Sequence, residues 1–186
     1  KICISDITHL GQAEADTVLS LWTGLGYYTR ARNLHASAIA ITQQHQGHMP
    51  NDLDALIALK GIGRSTAGAI LSQAYNQRGV ILDGNVKRLL TRLYAIEGWP
   101  GQSQIDQQLW QLATDLTPHQ RNADYTQAIM DIGATICKPK QPLCVACPMQ
   151  AHCQALAQDK VGIIPTRKPK KAIPHKTISV LLLQNK

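Results

Sequence analysis

Apolar residues recur at helical spacing along most of the chain. Ala15, Val18 and Trp22 lie three or four positions apart and define one face of a first helix. The same spacing predicts helices over residues 12–22, 30–46, 50–59, 86–93, 105–116 and 123–136. No stretch before Cys137 shows the two-residue alternation of a half-buried strand. The pattern therefore predicts an all-α fold for residues 1–136.

The chain has a different composition after residue 136. Proline, lysine and cysteine replace the periodic apolar pattern, and residues 154–176 are expected to form a basic linker. The run that follows is apolar, partly β-branched and only as long as a strand. We therefore expect residues 177–186 to be the first strand of a further, truncated C-terminal domain.

The cations are concentrated in the C-terminal part of the chain. Ten of the 19 Lys and Arg and eleven of the 12 Asp and Glu lie in residues 1–136, so the net charge of +7 arises from residues 137–186. Such clustering favours a phosphate backbone as partner, although a solvated tail gives the same pattern. The chain has no run of about 18 apolar residues and no signal pattern, so neither a membrane span nor export is supported. We expect an intracellular protein, cytoplasmic and nucleoid-associated or nuclear, that is not secreted.

A glycine-containing segment interrupts the helical pattern. Residues 59–71 read Leu-Lys-Gly-Ile-Gly-Arg-Ser-Thr-Ala-Gly-Ala-Ile-Leu, which predicts a helix, a tight hairpin and a second helix. Gly61 and Gly63 break the pattern, and Ser65 and Thr66 follow where a new helix needs its first caps. A phosphate could approach the glycine backbone and accept from free N–H groups of the second helix. An ordinary turn between packed helices is the alternative on these residues alone.

Four cysteines lie within residues 137–153. Cys137, Cys144, Cys147 and Cys153 follow the pattern C-x6-C-x2-C-x5-C. Thiols held this close in a reducing compartment predict a metal site rather than disulfides. Both structural zinc and a 4Fe-4S cluster use four cysteines, but zinc sites usually contain two Cys-x2-Cys pairs and only one occurs here.

Two segments together resemble a known family. Residues 59–71 and the later Ile-Leu-Asp-Gly-Asn-Val-Lys-Arg of residues 81–88 resemble the helix-hairpin-helix plus Gly/Pro-Asp signature of the DNA glycosylase superfamily, which includes endonuclease III-type enzymes and adenine DNA glycosylases. Residues 25–34, 98–101 and 130–137 are similar to the adenine-specific branch. One departure is Lys60, where proline is usual in the hairpin.

The resemblance implies both an architecture and an activity. It implies a helical barrel with the hairpin over residues 1–136, and an iron-sulfur loop with a structural 4Fe-4S cluster over residues 137–153. The implied activity is base-excision repair of double-stranded DNA by a monomer, with hydrolysis of the N-glycosidic bond of adenine paired with 8-oxoguanine or guanine. Two alternatives remain: a non-catalytic DNA-binding remnant, and a monofunctional glycosylase for T or U opposite G.

Asp83 is the candidate catalytic carboxylate. Loss of a base from deoxyribose builds positive charge on the sugar, which a nearby carboxylate stabilises. Asp83 is also placed as a helix N-cap, and the two roles are compatible. The resemblance implies Asn85 as a nearby polar catalytic partner. Lys87 lies four residues after Asp83, so it is expected either to pair with it or to approach the DNA.

Ser65 separates two branches of the family. Bifunctional endonuclease III-type enzymes resemble this hairpin but carry there a lysine that forms a Schiff base with the sugar. Serine has no amine, so the resemblance implies a monofunctional enzyme that uses water.

The remaining implied DNA contacts lie on three segments. Tyr27 is expected to enter the base stack as a wedge and Arg30 to lie near the backbone. Further expected contacts to the backbone are Gly61, Gly63, Ser65, Lys87, Lys138 and Lys140. The family's general-acid glutamate belongs to a motif upstream of this sequence, and Glu14 and Glu97 lie in other contexts. We therefore expect a central fragment that binds DNA weakly and excises adenine poorly.

Overall fold

All regular structure is helical in the part of the chain that the computed structural model describes, which is residues 4–169, 177, 178 and 180. The helices are α1 (Ile7–Gln12), α2 (Ala15–Leu21), α3 (Tyr28–Gln44), α4 (Leu53–Ala58), α5 (Arg64–Tyr75), α6 (Gly84–Leu93), α7 (Ser103–Leu116), α8 (Asn122–Asp131) and α9 (Gln154–Ala157). A π-helical turn (Ile132–Ile136) continues α8, and two 3-10 turns (Cys144–Ala146 and Gln150–His152) precede α9. The predicted all-α fold is confirmed.

Several predicted boundaries are wrong. The helix expected over residues 12–22 is two helices, because Ala13 is extended and the Asp6 side chain caps a separate α1 by accepting from the His9 N–H. Residues 154–157, expected as linker, form α9, whose Ala155 is completely buried. The linker residues 170–176 and the expected strand lie outside the described residues, except for 177, 178 and 180.

Two apolar clusters form the core, and α5 lies between them. The first cluster consists of Ile41, Leu56, Leu59, Ala67 and Leu71. The second consists of Ile81, Leu82, Val86, Leu89, Leu90, Ile96, Leu109, Ala113, Ile129 and Cys137. Ala67 and Leu71 of α5 pack in the first cluster, whereas Ala69 packs against the second. The helix that follows the hairpin is therefore held between both parts of the core.

The hairpin itself depends on its two glycines in different ways. Gly61 has φ +87°, a left-handed conformation, and a Cβ there would lie 2.8 Å from the Asn33 side chain. Gly63 is the N-cap of α5, with φ −91° and no side-chain cap bond, and a Cβ there would meet nothing within 4 Å. The expectation that Ser65 and Thr66 provide the first cap is wrong, because α5 already begins at Arg64.

Candidate active site

Asp83 lies at the start of α6 and on the wall of a cleft. Its Oδ1 accepts a hydrogen bond from the Val86 N–H at 2.8 Å, whereas Oδ2 has no partner among the described residues. The side chain is half-buried. The cleft has a volume of about 240 Å³ and is lined by Ser65, Thr66, Ala69, Ile81, Asp83 and Met130. One carboxylate oxygen thus caps the helix and leaves the other for a second role.

Ser65 joins the hairpin to the segment that leads into Asp83. Its Oγ accepts a hydrogen bond from the Leu82 N–H at 2.9 Å. Ser65 is the second residue of α5, and Leu82 directly precedes Asp83. The hairpin and the carboxylate therefore belong to one hydrogen-bonded unit, although they are about 20 positions apart in the sequence.

Asn85 and Lys87 are directed to partners other than Asp83. Asn85 Oδ1 accepts from Arg88 Nη2 at 2.9 Å. Lys87 Nζ forms a partly buried ion pair with Asp106 of α7. Lys87 therefore forms no ion pair with Asp83, because its ammonium is paired with Asp106 instead.

The exposed end of the hairpin has the features of an anion-binding surface. Gly63 is exposed, and in the described residues the N–H groups of Arg64, Ser65 and Thr66 have no protein acceptor. Such free N–H groups at a helix start carry a partial positive charge. The Arg64 guanidinium lies over the Trp110 ring, 3.9 Å from its centroid, which adds a full positive charge at this end.

Tyr27 and Arg30 lie together at the start of α3. Tyr27 is 83% exposed and has φ +47°, which is uncommon for a residue other than glycine. The loop before it is held by Trp22, whose Nε1 donates to Gly26 O at 2.9 Å. The Arg30 guanidinium lies 5.8 Å from the centre of the Trp22 ring. An aromatic side chain is thus presented to solvent from a braced loop.

The four cysteines of the 137–153 loop line one cavity. They are not paired as disulfides, and Cys137 is buried while the others are half-buried. Burial raises the pKa of the Cys144 thiol, and the other three cysteines raise it further while Arg92 opposes them. Within residues 4–169 no three Cys, His, Asp or Glu side chains are placed to hold a single metal ion.

A buried arginine connects this loop to α6. Arg92 is 3% exposed, and its Nη1 donates to Cys137 Sγ at 3.4 Å and to Lys138 O at 2.8 Å. Its Nε donates to Ile164 O at 2.8 Å. Sequence reasoning missed this residue, although a signal was present: Arg92 follows Leu89 by three positions and so interrupts the apolar face of α6.

Lys138 and Lys140 differ in their exposure. Lys138 is half-buried, and its carbonyl accepts the Arg92 bond, whereas Lys140 is exposed. Neither forms an ion pair within the described part of the chain. Among the described residues no helix is long and apolar enough to cross a membrane.

Two solved structures share this fold. A thermostable thymine-DNA glycosylase has a TM-score of 0.70 and 24% identity, with 82% of this chain and 70% of that chain covered. Endonuclease III in a non-covalent complex with DNA has a TM-score of 0.67 and 21% identity, with 83% and 71% covered. Identities this low establish similarity of fold alone.

Curated relatives are more similar in sequence. The adenine DNA glycosylase of Buchnera aphidicola subsp. Acyrthosiphon pisum is 41% identical, over 97% of this chain and 51% of that protein. The adenine DNA glycosylase of Homo sapiens is 44% identical, over 78% of this chain and 27% of that protein. The chain spans about half the length of the bacterial relative, and less of the human one.

A family model covers the hairpin and the candidate carboxylate. The model for HhH-GPD superfamily base excision DNA repair proteins matches residues 3–114, which is more than half of the chain. Both Ser65 and Asp83 lie within the matched residues. The chain therefore belongs to the HhH-GPD superfamily of base excision DNA repair proteins.

Proposed function

We propose that this chain carries the sugar-stabilising half of a monofunctional adenine DNA glycosylase active site. The observation that carries the proposal is the position of Asp83, which lines a cleft and is joined through Leu82 and Ser65 to a hairpin suited to bind phosphate. The substrate is double-stranded DNA in which adenine is paired with 8-oxoguanine or guanine. The protein acts as an intracellular monomer.

In this mechanism Asp83 stabilises a cationic sugar. As the bond between C1′ and the adenine N9 breaks, its electron pair leaves with the base and positive charge develops on the deoxyribose ring. The Asp83 carboxylate offsets that charge with an oxygen that its helix does not use. Water then adds to C1′ and loses a proton, which leaves an abasic site, while adenine gains a proton as it departs.

The proton donor for adenine is not one of the two glutamates in this chain. Glu14 is the exposed N-cap of α2. Glu97 is exposed, and its hydrogen bond and charge interaction with Lys160 lower its pKa, which favours the ionised form. Neither residue lines the cleft of Asp83. We therefore expect slow excision by residues 1–186.

A single-turnover assay tests the proposed substrate. The chain, in excess, is incubated with duplexes that carry A opposite 8-oxoguanine, A opposite G, T opposite G or U opposite G. We expect slow release confined to the two adenine duplexes. Release of T or U would support the mismatch-specific alternative, and rapid adenine release would contradict our account of the missing proton donor.

Ser65→Lys is expected to create a covalent link to an abasic site. The lysine amine would attack the C1′ aldehyde and expel water to form an imine, which borohydride reduces to a stable amine. Gel electrophoresis of the reduced complex measures the cross-link. Ser65→Met is the control, because its side chain is unbranched and lacks an amine, and both variants lose the acceptor for the Leu82 N–H. If Ser65→Lys binds abasic DNA but forms no cross-link, residue 65 does not lie close to the sugar.

We further propose that Cys137, Cys144, Cys147 and Cys153 hold a 4Fe-4S cluster. A tetrahedral zinc requires all four sulfurs within about 2.3 Å of one point. The described cysteines instead surround a cavity, with the buried Arg92 cation beside Cys137, which suits a larger cluster of negative charge. When bound, the cluster supplies a structural crosslink between the two ends of the loop.

Replacement of one ligand is expected to remove the iron. Cys144→Ser should lose the broad visible absorbance of a cluster and most of the bound iron and sulfide, because an alcohol is a poor ligand for iron-sulfur clusters. Cys3→Ser is the control, since Cys3 lies outside the four-cysteine motif. Metal analysis that finds one zinc per chain and no iron in the unsubstituted protein would contradict this proposal.

A further inference from the structure

An open basic concavity begins beside the candidate active site. It has a volume of about 540 Å³, and its lining includes Gly84, the residue after Asp83. One wall is formed by residues 164–168, which cross the loop at Trp99. The Gly98 N–H donates to the Thr166 hydroxyl at 3.1 Å, which fixes that crossing.

The charge of this concavity is of one sign. Six cationic side chains line it, and no carboxylate does: Lys87, Arg88, Arg92, Lys140, Arg167 and Lys168. Three of them are already engaged, since Lys87 pairs with Asp106 and the two α6 arginines donate to backbone carbonyls. Lys140, Arg167 and Lys168 are exposed and have no ion pair in the described chain. Their charges remain available to a ligand.

Trp99 gives this basic wall a fixed shape. Its ring packs so closely over Gly101 that a Cβ there would lie 2.2 Å from the ring. The Lys168 ammonium lies 5.3 Å from the centre of the same ring. A cation held against an aromatic face keeps its charge while losing some of its freedom of motion. The wall is therefore more ordered than a solvated basic tail.

We propose that this concavity is a second phosphodiester-binding subsite, in which Arg167 and Lys168 bind the DNA backbone on one side of the excised base. The inference deepens the proposed function and rests on it, because it assumes that the strand passes Asp83. Ser65 of the hairpin lines the cleft together with Asp83, and the next residue in the chain, Gly84, lines the concavity. A strand that enters at the hairpin would leave over these cations.

The salt dependence of DNA binding tests this subsite. Each duplex carries a central abasic analogue, with about 4 or about 12 base pairs on each side, and the two flank lengths are varied independently. Kd is measured as a function of salt concentration, because each neutralised phosphate changes the slope of log Kd against log salt concentration by about 0.9. In Arg167→Gln/Lys168→Gln the slope should fall by about 1 to 2, and only for duplexes with the long flank on one particular side. Arg121→Gln is the control, since Arg121 is exposed and pairs with Asp124 away from this lining.

Two outcomes would overturn the subsite, and a third would overturn the proposed substrate instead. Equal slopes for the variant and the unsubstituted chain on every duplex would show that the two residues bind no backbone. If the slope falls equally for every duplex, whatever the length and side of its flanks, the two residues attract DNA diffusely as a basic tail would. A one-sided loss that occurs equally on fully paired DNA, together with no preference for adenine mispairs, would retain the subsite and reject the proposed substrate.

Discussion

Asp83→Asn is expected to reduce single-turnover adenine excision by about 10²- to 10³-fold, the usual cost of removing a preorganised electrostatic contact to a transition state. The two excision rates are measured on a duplex with A opposite 8-oxoguanine, and the two proteins differ only at residue 83. The affinity of the protein for the uncleaved DNA substrate, whose target sugar is still uncharged, should change little. Asn is also a good N-cap and keeps an oxygen for the Val86 N–H. The substitution thus removes charge without removing the helix start.

Asp52→Asn is a matched control for this experiment. Asp52 is the N-cap of α4, and its Oδ1 accepts from the Ala55 N–H at 2.9 Å, as Asp83 Oδ1 does from Val86. It lines none of the Asp83 cleft. Its substitution should leave the excision rate unchanged. An equal loss of rate in both variants would mean that the effect comes from helix capping rather than from the charge at the sugar.

Arg92→Met is expected to destabilise the fold by about 2–6 kcal/mol, at about 1–3 kcal/mol for each of two carbonyls that lose their donor. The substitution leaves the carbonyls of Ile164 and Lys138 without their donor, and each such loss is costly inside a protein. It also removes the positive charge beside Cys137. Urea unfolding measures the change, and the iron content of the purified protein should fall with it.

Arg121→Met is the control for the buried arginine. Arg121 is exposed, and its ion pair with Asp124 is of the kind that contributes little to stability. Its urea midpoint should match that of the unsubstituted chain. If Arg92→Met unfolds at the same urea concentration as this control, then the bonds of Arg92 do not hold the cysteine loop against α6.

The local features of the site could be predicted from the sequence. The hairpin, the start of α6 and the position of Asp83 at that start all depend on residues within a few positions of one another. Glycine conformation and side-chain capping are local effects, so they leave a direct trace in the sequence. The assignment of the first cap to Ser65 was displaced by two residues, because Gly63 itself adopts the extended conformation of an N-cap.

The contacts that complete the site depend on distant residues and left no such trace. Lys87 pairs with a residue on α7 rather than with its own helix neighbour. Arg88 donates to the carbonyls of Gly133 and Cys137, across 45 and 49 positions, and thereby ties α6 to the π-helical turn. Burial lowers the pKa of Arg88, while the charges of Cys137 and Asp83 oppose that change. Helical periodicity indicates which face of a helix is apolar, but it does not indicate which carbonyl a buried cation will bind.

The most direct test of the account compares the affinity of the chain for two duplexes. Both have 8-oxoguanine opposite a sugar mimic, which is either a cationic pyrrolidine or an uncharged tetrahydrofuran. The protein should bind the pyrrolidine duplex at least about tenfold more tightly than the tetrahydrofuran duplex, equivalent to about 1.4 kcal/mol. Asp83→Asn should abolish that preference. This measurement needs no proton donor and no turnover. An equal preference in the unsubstituted chain and in Asp83→Asn would contradict the claim that this carboxylate stabilises a cationic deoxyribose.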